Sequence, residues 1–377
     1  MTKHHSDLPP AGVREPAEKA LSINKGVEQP GQLNEEVARA FQKRRRARRP
    51  AKEYVDGILA GNRTVLAQAI TLLESTLPRD RQLAEQILEA VLPASGKSVR
   101  VGITGVPGVG KSTFIEALGT YLTETLGEKL AVLAIDPSST LSGGSILGDK
   151  TRMAKLGANP MAFIRPSPSR GSLGGVAQRT RETVVLCEAA GFTNVFVETV
   201  GVGQSETLVA DMVDFFLLLM LAGAGDELQG IKRGIIEMAD LMAINKAEGD
   251  NKLRAQLARR EYESALHLFP PTSSGWIPRV VTCSAVENTG VVEIWDVIRE
   301  YTALTKANGY FARQRREQEQ RWMFQLIEEG LRERFLADPA VGERLPQMQQ
   351  AVTEGRMTSF RAAKELLNAA HPPHTKD

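Results

Sequence analysis

The stretch Val-Arg-Val-Gly-Ile-Thr-Gly-Val-Pro-Gly-Val-Gly-Lys-Ser-Thr, residues 99–113, is the most informative in the chain. Its opening, with β-branched Val99, Val101 and Ile103, reads as a buried strand, and the residues from Thr113 to Leu126 read as a helix. Between them Gly105, Gly110, Lys111 and Ser112 fit the pattern G-x-x-x-x-G-K-[ST]. Glycines let the loop's N–H groups turn inward and cradle phosphate oxygens, and the following helix aims its positive end at the same anion. In such a loop Gly108 and Val109 supply backbone, Lys111 reaches the β- and γ-phosphates, Ser112 ligates Mg²⁺ and Thr113 joins the phosphate contacts. A glycine-rich turn that matches by chance is the alternative, but the flanking strand and helix argue against it.

Outward from this loop the chain alternates. Short apolar runs at 99–104, 131–135, 161–164, 195–198, 215–221, 241–245 and 279–283 are separated by helical stretches. The expectation is an α/β fold: a P-loop NTPase with a mostly parallel central sheet flanked by helices, its ligand held at the C-terminal ends of the strands. Residues 52–93 read as a two-helix hairpin, with Leu66, Ile70 and Leu73 on one face, Leu83, Ile87 and Val91 on another, and Pro78 and Asp80 in the turn between. After Tyr301 the pattern is helical to a last helix at about 359–370. Met323, Ile327, Leu331 and Phe335, with Trp322 and Leu326 beside them, form an apolar stripe that needs a partner, either its own domain or a second subunit; we adopt the second. Arg313, Arg315, Arg316, Glu317 and Glu319 before the stripe read as solvated. The expected domains are a disordered, basic extension (1–50), N-terminal helices (51–97), the nucleotide domain (98–304) and a helical dimerisation arm (305–377).

Composition narrows the class. The 377 residues carry a net charge of +2, so a general nucleic-acid surface is not indicated. Lys43, Arg44, Arg45, Arg46, Arg48 and Arg49 suit an anionic partner, an organellar address or a solvated helix start; the last is adopted, because Asp7, Glu15, Glu18 and Glu28 do not suit a transit peptide. Cys187 and Cys283 lie in apolar stretches and read as buried thiols. The longest apolar run, 215–222, is too short to span a bilayer and no signal-peptide core is visible, so a cytoplasmic chain without membrane partners is expected.

Further polar residues stand at strand ends. Asp136 follows the second strand, where a carboxylate would hold Mg²⁺ or its waters, or else cap a turn. The small, polar stretch 142–152 reads as a γ-phosphate-dependent switch, with Asp149 near the metal or the attacking water. Arg165, Ser167, Ser169 and Arg170, with Gly171, Gly174 and Gly175, read as a mobile stretch that contacts phosphate or a partner, or as a plain loop. Glu198 and Gly201 stand where many GTPases carry Asp-x-x-Gly, and Val202 replaces the water-positioning Gln, so unaided hydrolysis should be slow. Asn245-Lys246-Ala247-Glu248, with Ser284 and Ala285, are similar to guanine-reading elements, with Glu248 in place of the usual Asp. Residues 222–234, with four glycines and a mixed-charge centre, read as a segment that reports nucleotide state, or as a plain connection.

Taken in order, Gly-Val-Pro-Gly-Val-Gly-Lys-Ser-Thr, Ile-Asp-Pro-Ser-Ser, Gly-Asp-Lys-Thr-Arg-Met, Arg-Pro-Ser-Pro-Ser, Glu-Thr-Val-Gly-Val-Gly-Gln-Ser-Glu and Gly-Ala-Gly-Asp-Glu-Leu-Gln-Gly-Ile-Lys closely resemble the methylmalonyl-CoA mutase-associated GTPase chaperones. Members have also been labelled lysine/arginine/ornithine transport ATPases or kinases. The resemblance covers about residues 52–370. It implies a homodimeric GTPase that gates cofactor loading and protection of an adenosylcobalamin-dependent acyl-CoA mutase. Carried over residue by residue, it places Lys111, Ser112 and Thr113 on phosphates, Ser112, Asp136, Asp149 and Glu198 on Mg²⁺, and Asn245, Lys246 and Glu248 at the base of GTP or GDP. Three rivals are weaker. A transport ATPase or protein kinase would need adenine preference and an accepting partner. A metal-insertion GTPase would need a Cys/His cluster. A binding module with a dead site does not fit the intact Lys111, Ser112, Asp136 and Glu198.

Overall fold

The computed structural model describes residues 49–135, 153–167, 173–199, 205–223, 233–266, 269 and 272–370. Its centre is a sheet of seven parallel strands: β1 (Val99–Gly105), β2 (Leu130–Ile135), β3 (Ala162–Ser167), β4 (Asn194–Thr199), β5 (Phe215–Leu221), β6 (Leu241–Asn245) and β7 (Arg279–Thr282), in the order β3-β2-β4-β1-β5-β6-β7. Each overlaps an apolar run read from the sequence, and β3 runs three residues beyond its run, to Ser167.

Such runs are continuous rather than alternating because both faces of the sheet are covered. Along β5, Phe215, Leu217 and Leu219 enter one core while Phe216, Leu218 and Met220 enter the other. β2 divides in the same way, Leu130 and Val132 against Ala131, Leu133 and Ile135.

Three helices, α1 (Ala51–Leu59), α2 (Arg63–Leu73) and α3 (Pro78–Val91), precede the sheet. They correct the expected two-helix hairpin. The break missed in the sequence is at Gly61 (φ 71°) and Asn62, whose side chain accepts from the N–H groups of Thr64 (3.0 Å) and Val65 (3.2 Å) and caps α2. Pro78 and Asp80 lie in the first turn of α3 rather than in a turn between helices, as suits a proline whose missing N–H costs nothing there.

The phosphate-loop helix is α4 (Lys111–Thr120), which continues as a π-helical turn over Tyr121–Thr125. The remaining helices are α5 (Ala154–Ala158), α6 (Leu173–Ala189), α7 (Ser205–Ala210), α8 (Arg233–Met238), α9 (Lys252–Leu266), α10 (Val291–Ala307), α11 (Tyr310–Ala337), α12 (Pro339–Thr353) and α13 (Ser359–Ala370). Helices α4 and α10 cover one face of the sheet through Phe114, Ile115, Trp295 and Ile298. Helices α1, α2, α3 and α6 supply the other core through Ile58, Leu66, Ile87 and Val184.

Helix α11 carries the apolar stripe, and much of it faces outward: Met323, Ile327 and Leu331 are exposed. The basic segment before the stripe is not uniformly solvated. Arg315 lies against the N-terminal edge of the sheet, its guanidinium bonded to both oxygens of Asp214 (2.7 and 2.6 Å) and to the carbonyls of Gly96 and Ser98 (2.7 Å each). Gln318 adds a bond to the carbonyl of Val213 (2.8 Å). Arg313, Arg316, Glu317 and Glu319 are exposed as expected. Arg165 and Ser167 belong to β3 and Gly174 and Gly175 to α6, so these four are not a loop; Arg165 pairs with Glu74 at the end of α2. Ser169, Arg170 and Gly171 lie outside the described residues, as does the basic cluster apart from Arg49. Among the described residues no helix is long and apolar enough to cross a membrane.

Candidate nucleotide site

The site is built at the C-terminal end of β1, where chain connections leave toward opposite sides of the sheet. A Cβ on Gly105 would lie 2.3 Å from the carbonyl oxygen of Leu219 in β5, so only glycine lets the loop leave the sheet there. Gly110 precedes α4 in a left-handed conformation (φ 95°), and a Cβ on it would lie 2.9 Å from the Asn245 amide nitrogen.

Lys111 is buried, 8% exposed, and its ammonium folds back over the loop to donate to the carbonyls of Gly105 (2.7 Å) and Val106 (3.2 Å). Burial lowers its pKa from the ordinary lysine value, and the carboxylates of Glu198 and Glu206 oppose that shift. Ser112 donates to Glu198 at 3.3 Å, which brings together a hydroxyl and a carboxylate from α4 and β4. Behind them the hydroxyls of Thr104 and Thr199 share a hydrogen bond of 2.7 Å between β1 and β4. Thr113 and Ala285 line an open groove of about 430 Å³, with Glu116, Asn288 and Val292.

A second cluster adjoins the loop. Asn245 ends β6 fully buried; its amide nitrogen donates to the carbonyl of Val109 (2.9 Å), and its oxygen accepts from the N–H of Ala285 (3.2 Å). One side chain therefore ties the phosphate loop to the turns after β6 and β7. Lys246 adopts a left-handed backbone (φ 58°), unusual for a residue with a Cβ, and is exposed. The Ala247 N–H donates to the carbonyl of Cys283 (3.0 Å), which sets Glu248 beside that strand end. Ser284 is buried and its hydroxyl accepts from the N–H of Glu287. Both cysteines are free and buried.

Of the residues singled out in the sequence, the fold thus brings together Gly105, Gly108, Val109, Gly110, Lys111, Ser112, Thr113, Glu198, Asn245, Lys246, Glu248, Ser284 and Ala285. Asp136, Asp149 and Gly201 lie outside the described residues, as do 142–152 and residues 224–232 of the segment 222–234. Among the described residues no group of three or more His, Cys, Asp or Glu side chains is placed to hold a metal. Glu206 escaped sequence reading: it is buried in the first turn of α7, and its charge acts on Lys111. Its signal was an acidic residue at a helix start just beyond Gly201.

A family model for the methylmalonyl-CoA mutase-associated GTPase MeaB matches residues 66–340, from the first half of α2 into α12. The chain belongs to this family. A probable GTPase of Mycobacterium tuberculosis is 50% identical over 85% of this chain and 96% of its own length. The mouse protein named methylmalonic aciduria type A homolog, mitochondrial, is 49% identical over 84% of this chain and 79% of its own length. The GTPase ArgK of Escherichia coli is 48% identical over 83% and 95%. A crystal structure titled LAO/AO transport system kinase superposes with a TM-score of 0.67, at 41% identity, over 84% of this chain and 96% of that one. The family and the phosphate-loop geometry make the chain a GTPase.

Proposed function

We propose that this GTPase serves as a chaperone for an adenosylcobalamin-dependent acyl-CoA mutase, gating cofactor loading and protecting the loaded enzyme. The observation that supports this most is the family match over the nucleotide domain together with the mouse relative's name. In this reading Lys111 leaves the carbonyls of Gly105 and Val106 for the β- and γ-phosphates, and the backbone of 105–113 wraps the phosphates. The Ser112 hydroxyl and Glu198 carboxylate are hard oxygen donors and suit Mg²⁺, which supplies charge neutralisation when bound. Asp136 and Asp149 would complete its shell, and Gly201 would sense the γ-phosphate. Asn245, Lys246, Glu248, Ser284 and Ala285 surround the guanine. The exposed stripe of α11 supports a homodimer. A cytoplasmic setting fits the reading.

The test is complex formation. The purified chain and an adenosylcobalamin-dependent acyl-CoA mutase are run together by size exclusion, with GDP and with a non-hydrolysable GTP analogue. Co-elution that differs between the nucleotides is expected. Separate elution in both conditions, with nucleotide binding intact, would remove the chaperone role and leave the GTPase.

A further inference from the structure

At the phosphate-loop end the sheet opens between β4 and β1. The ladder that joins them ends at Ile103 opposite Glu198, although both strands run on. β1 stays paired with β5 as far as Gly105 opposite Leu219, and β4 stays paired with β2 as far as Thr199 opposite Ile135. The fit of β1 to β5 is close there, since a Cβ on Gly105 would lie 2.3 Å from the Leu219 carbonyl oxygen. Each strand thus follows its outer neighbour, and Thr104 and Thr199 are the first opposed residues beyond the ladder.

Two side-chain hydrogen bonds cross this gap, one on each face of the sheet. Successive side chains of a strand point to opposite faces. Glu198 follows Phe196 on the face that α4 covers, and there it accepts from Ser112 at 3.3 Å. Thr199 follows Val195 and Val197 on the other face, and there its hydroxyl meets that of Thr104 at 2.7 Å. Thr104 is 1% exposed and Thr199 0%, so water does not stand in for a lost partner. The bond between Ser112 and Glu198 joins the two oxygen donors read above as serving Mg²⁺. The threonine bond uses none of the groups assigned to nucleotide or metal.

We infer that Thr104 and Thr199 are positioning residues for GTP hydrolysis: their hydrogen bond pins the open ends of β1 and β4 and sets the distance between Ser112 and Glu198 across the metal. The inference rests on the reading of Ser112 and Glu198 as serving Mg²⁺. Their mutual bond opens when both turn to the metal, and the threonine bond then holds the gap. Magnesium demands near-ideal octahedral geometry, with oxygens at about 2.0–2.1 Å. A gap of unfixed width spoils that geometry before it spoils nucleotide binding, because the phosphate loop runs from β1 into α4. Misplacement by about 1 Å can cost roughly 10²-fold in rate.

The experiment compares the parent with Thr104→Val, Thr199→Val, the double variant and Thr199→Ser. It measures single-turnover GTP hydrolysis over a magnesium titration, GDP affinity without magnesium, and melting temperature. Valine keeps the shape and removes the hydroxyl. Each single valine variant should hydrolyse GTP about tenfold slower and need about tenfold more magnesium for half its maximal rate, with GDP affinity within about threefold of the parent. Thr199→Ser, which keeps the bond, should behave as the parent. The double variant separates positioning from packing: it leaves neither hydroxyl buried without its partner, so it should melt above either single variant, yet hydrolyse as slowly. If hydrolysis recovers in the double variant together with stability, or the single variants need no more magnesium than the parent, the pair only holds the fold; the inference is then wrong and the metal reading stands. If the parent hydrolyses GTP equally well without magnesium, the metal reading falls, and the inference with it.

Discussion

Replacing Arg315 with alanine severs the joint between the C-terminal arm and the sheet. Four hydrogen bonds are lost, two to Asp214 and two to the carbonyls of Gly96 and Ser98. The side chains involved are 13% and 1% exposed, so solvent cannot replace the lost contacts well. Asp214 keeps one partner, the N–H of Arg100 at 2.8 Å, which offsets part of the cost. Removing one member of a buried pair typically costs about 3–5 kcal/mol, and the remaining bond argues for the lower end, about 3 kcal/mol. At roughly 2 °C per kcal/mol for a unit of this size, the melting temperature should fall by about 6 °C. The control is Arg321→Ala, which removes an exposed pair with Asp211 (3.2 Å) and should cost less than about 1 kcal/mol. Scanning calorimetry compares the three proteins, and calorimetric titration should find GDP affinity unaltered, because the joint lies at the opposite edge of the sheet from the phosphate loop. If Arg315→Ala melts with the parent, or no lower than Arg321→Ala, the joint does not hold the arm as argued.

Two further changes test the frame of the site. Gly105→Ala places a methyl group 2.3 Å from the Leu219 carbonyl, so GDP affinity by calorimetry should fall at least about tenfold. Burial pushes the Asp240 carboxyl up to about 7, against a hydrogen bond from the Phe216 N–H that favours its charged form. The native state then binds the proton more tightly than the unfolded chain, whose Asp titrates near about 3.9, and stability is lost as pH rises through that window. Asp240→Asn should therefore raise the melting temperature at pH 8 and leave it nearly unchanged at pH 4.

The sheet was legible because strands buried on both faces leave uninterrupted apolar runs, and those at 215–221 and 241–245 coincide with β5 and β6 residue for residue. The phosphate loop was legible because few residue types satisfy its geometry: Gly105 is forced by a carbonyl and Gly110 by its backbone angle. What escaped depends on contacts distant in sequence. Arg315 looks like any charge on a solvated helix until Asp214, 101 positions earlier, is placed opposite it. The Gly61–Asn62 break was local and readable, since a glycine followed by a capping asparagine ends one helix and starts the next; the apolar spacing on either side concealed it. Glu206 needed the path of the chain beyond β4 before its proximity to Lys111 could be seen.

Steady-state GTP hydrolysis, measured with and without an adenosylcobalamin-dependent acyl-CoA mutase for the parent and for Lys111→Ala, decides whether this GTPase answers to such a mutase. Loss of the ammonium removes a charge-assisted contact of about 1.5–3 kcal/mol, so the variant should lose at least about tenfold in nucleotide affinity and most of its hydrolysis. Slow hydrolysis by the parent alone, a clear rise when the mutase is added, and no rise for Lys111→Ala are expected. Hydrolysis by the parent at the same rate with and without the mutase would mean that the mutase is not its partner.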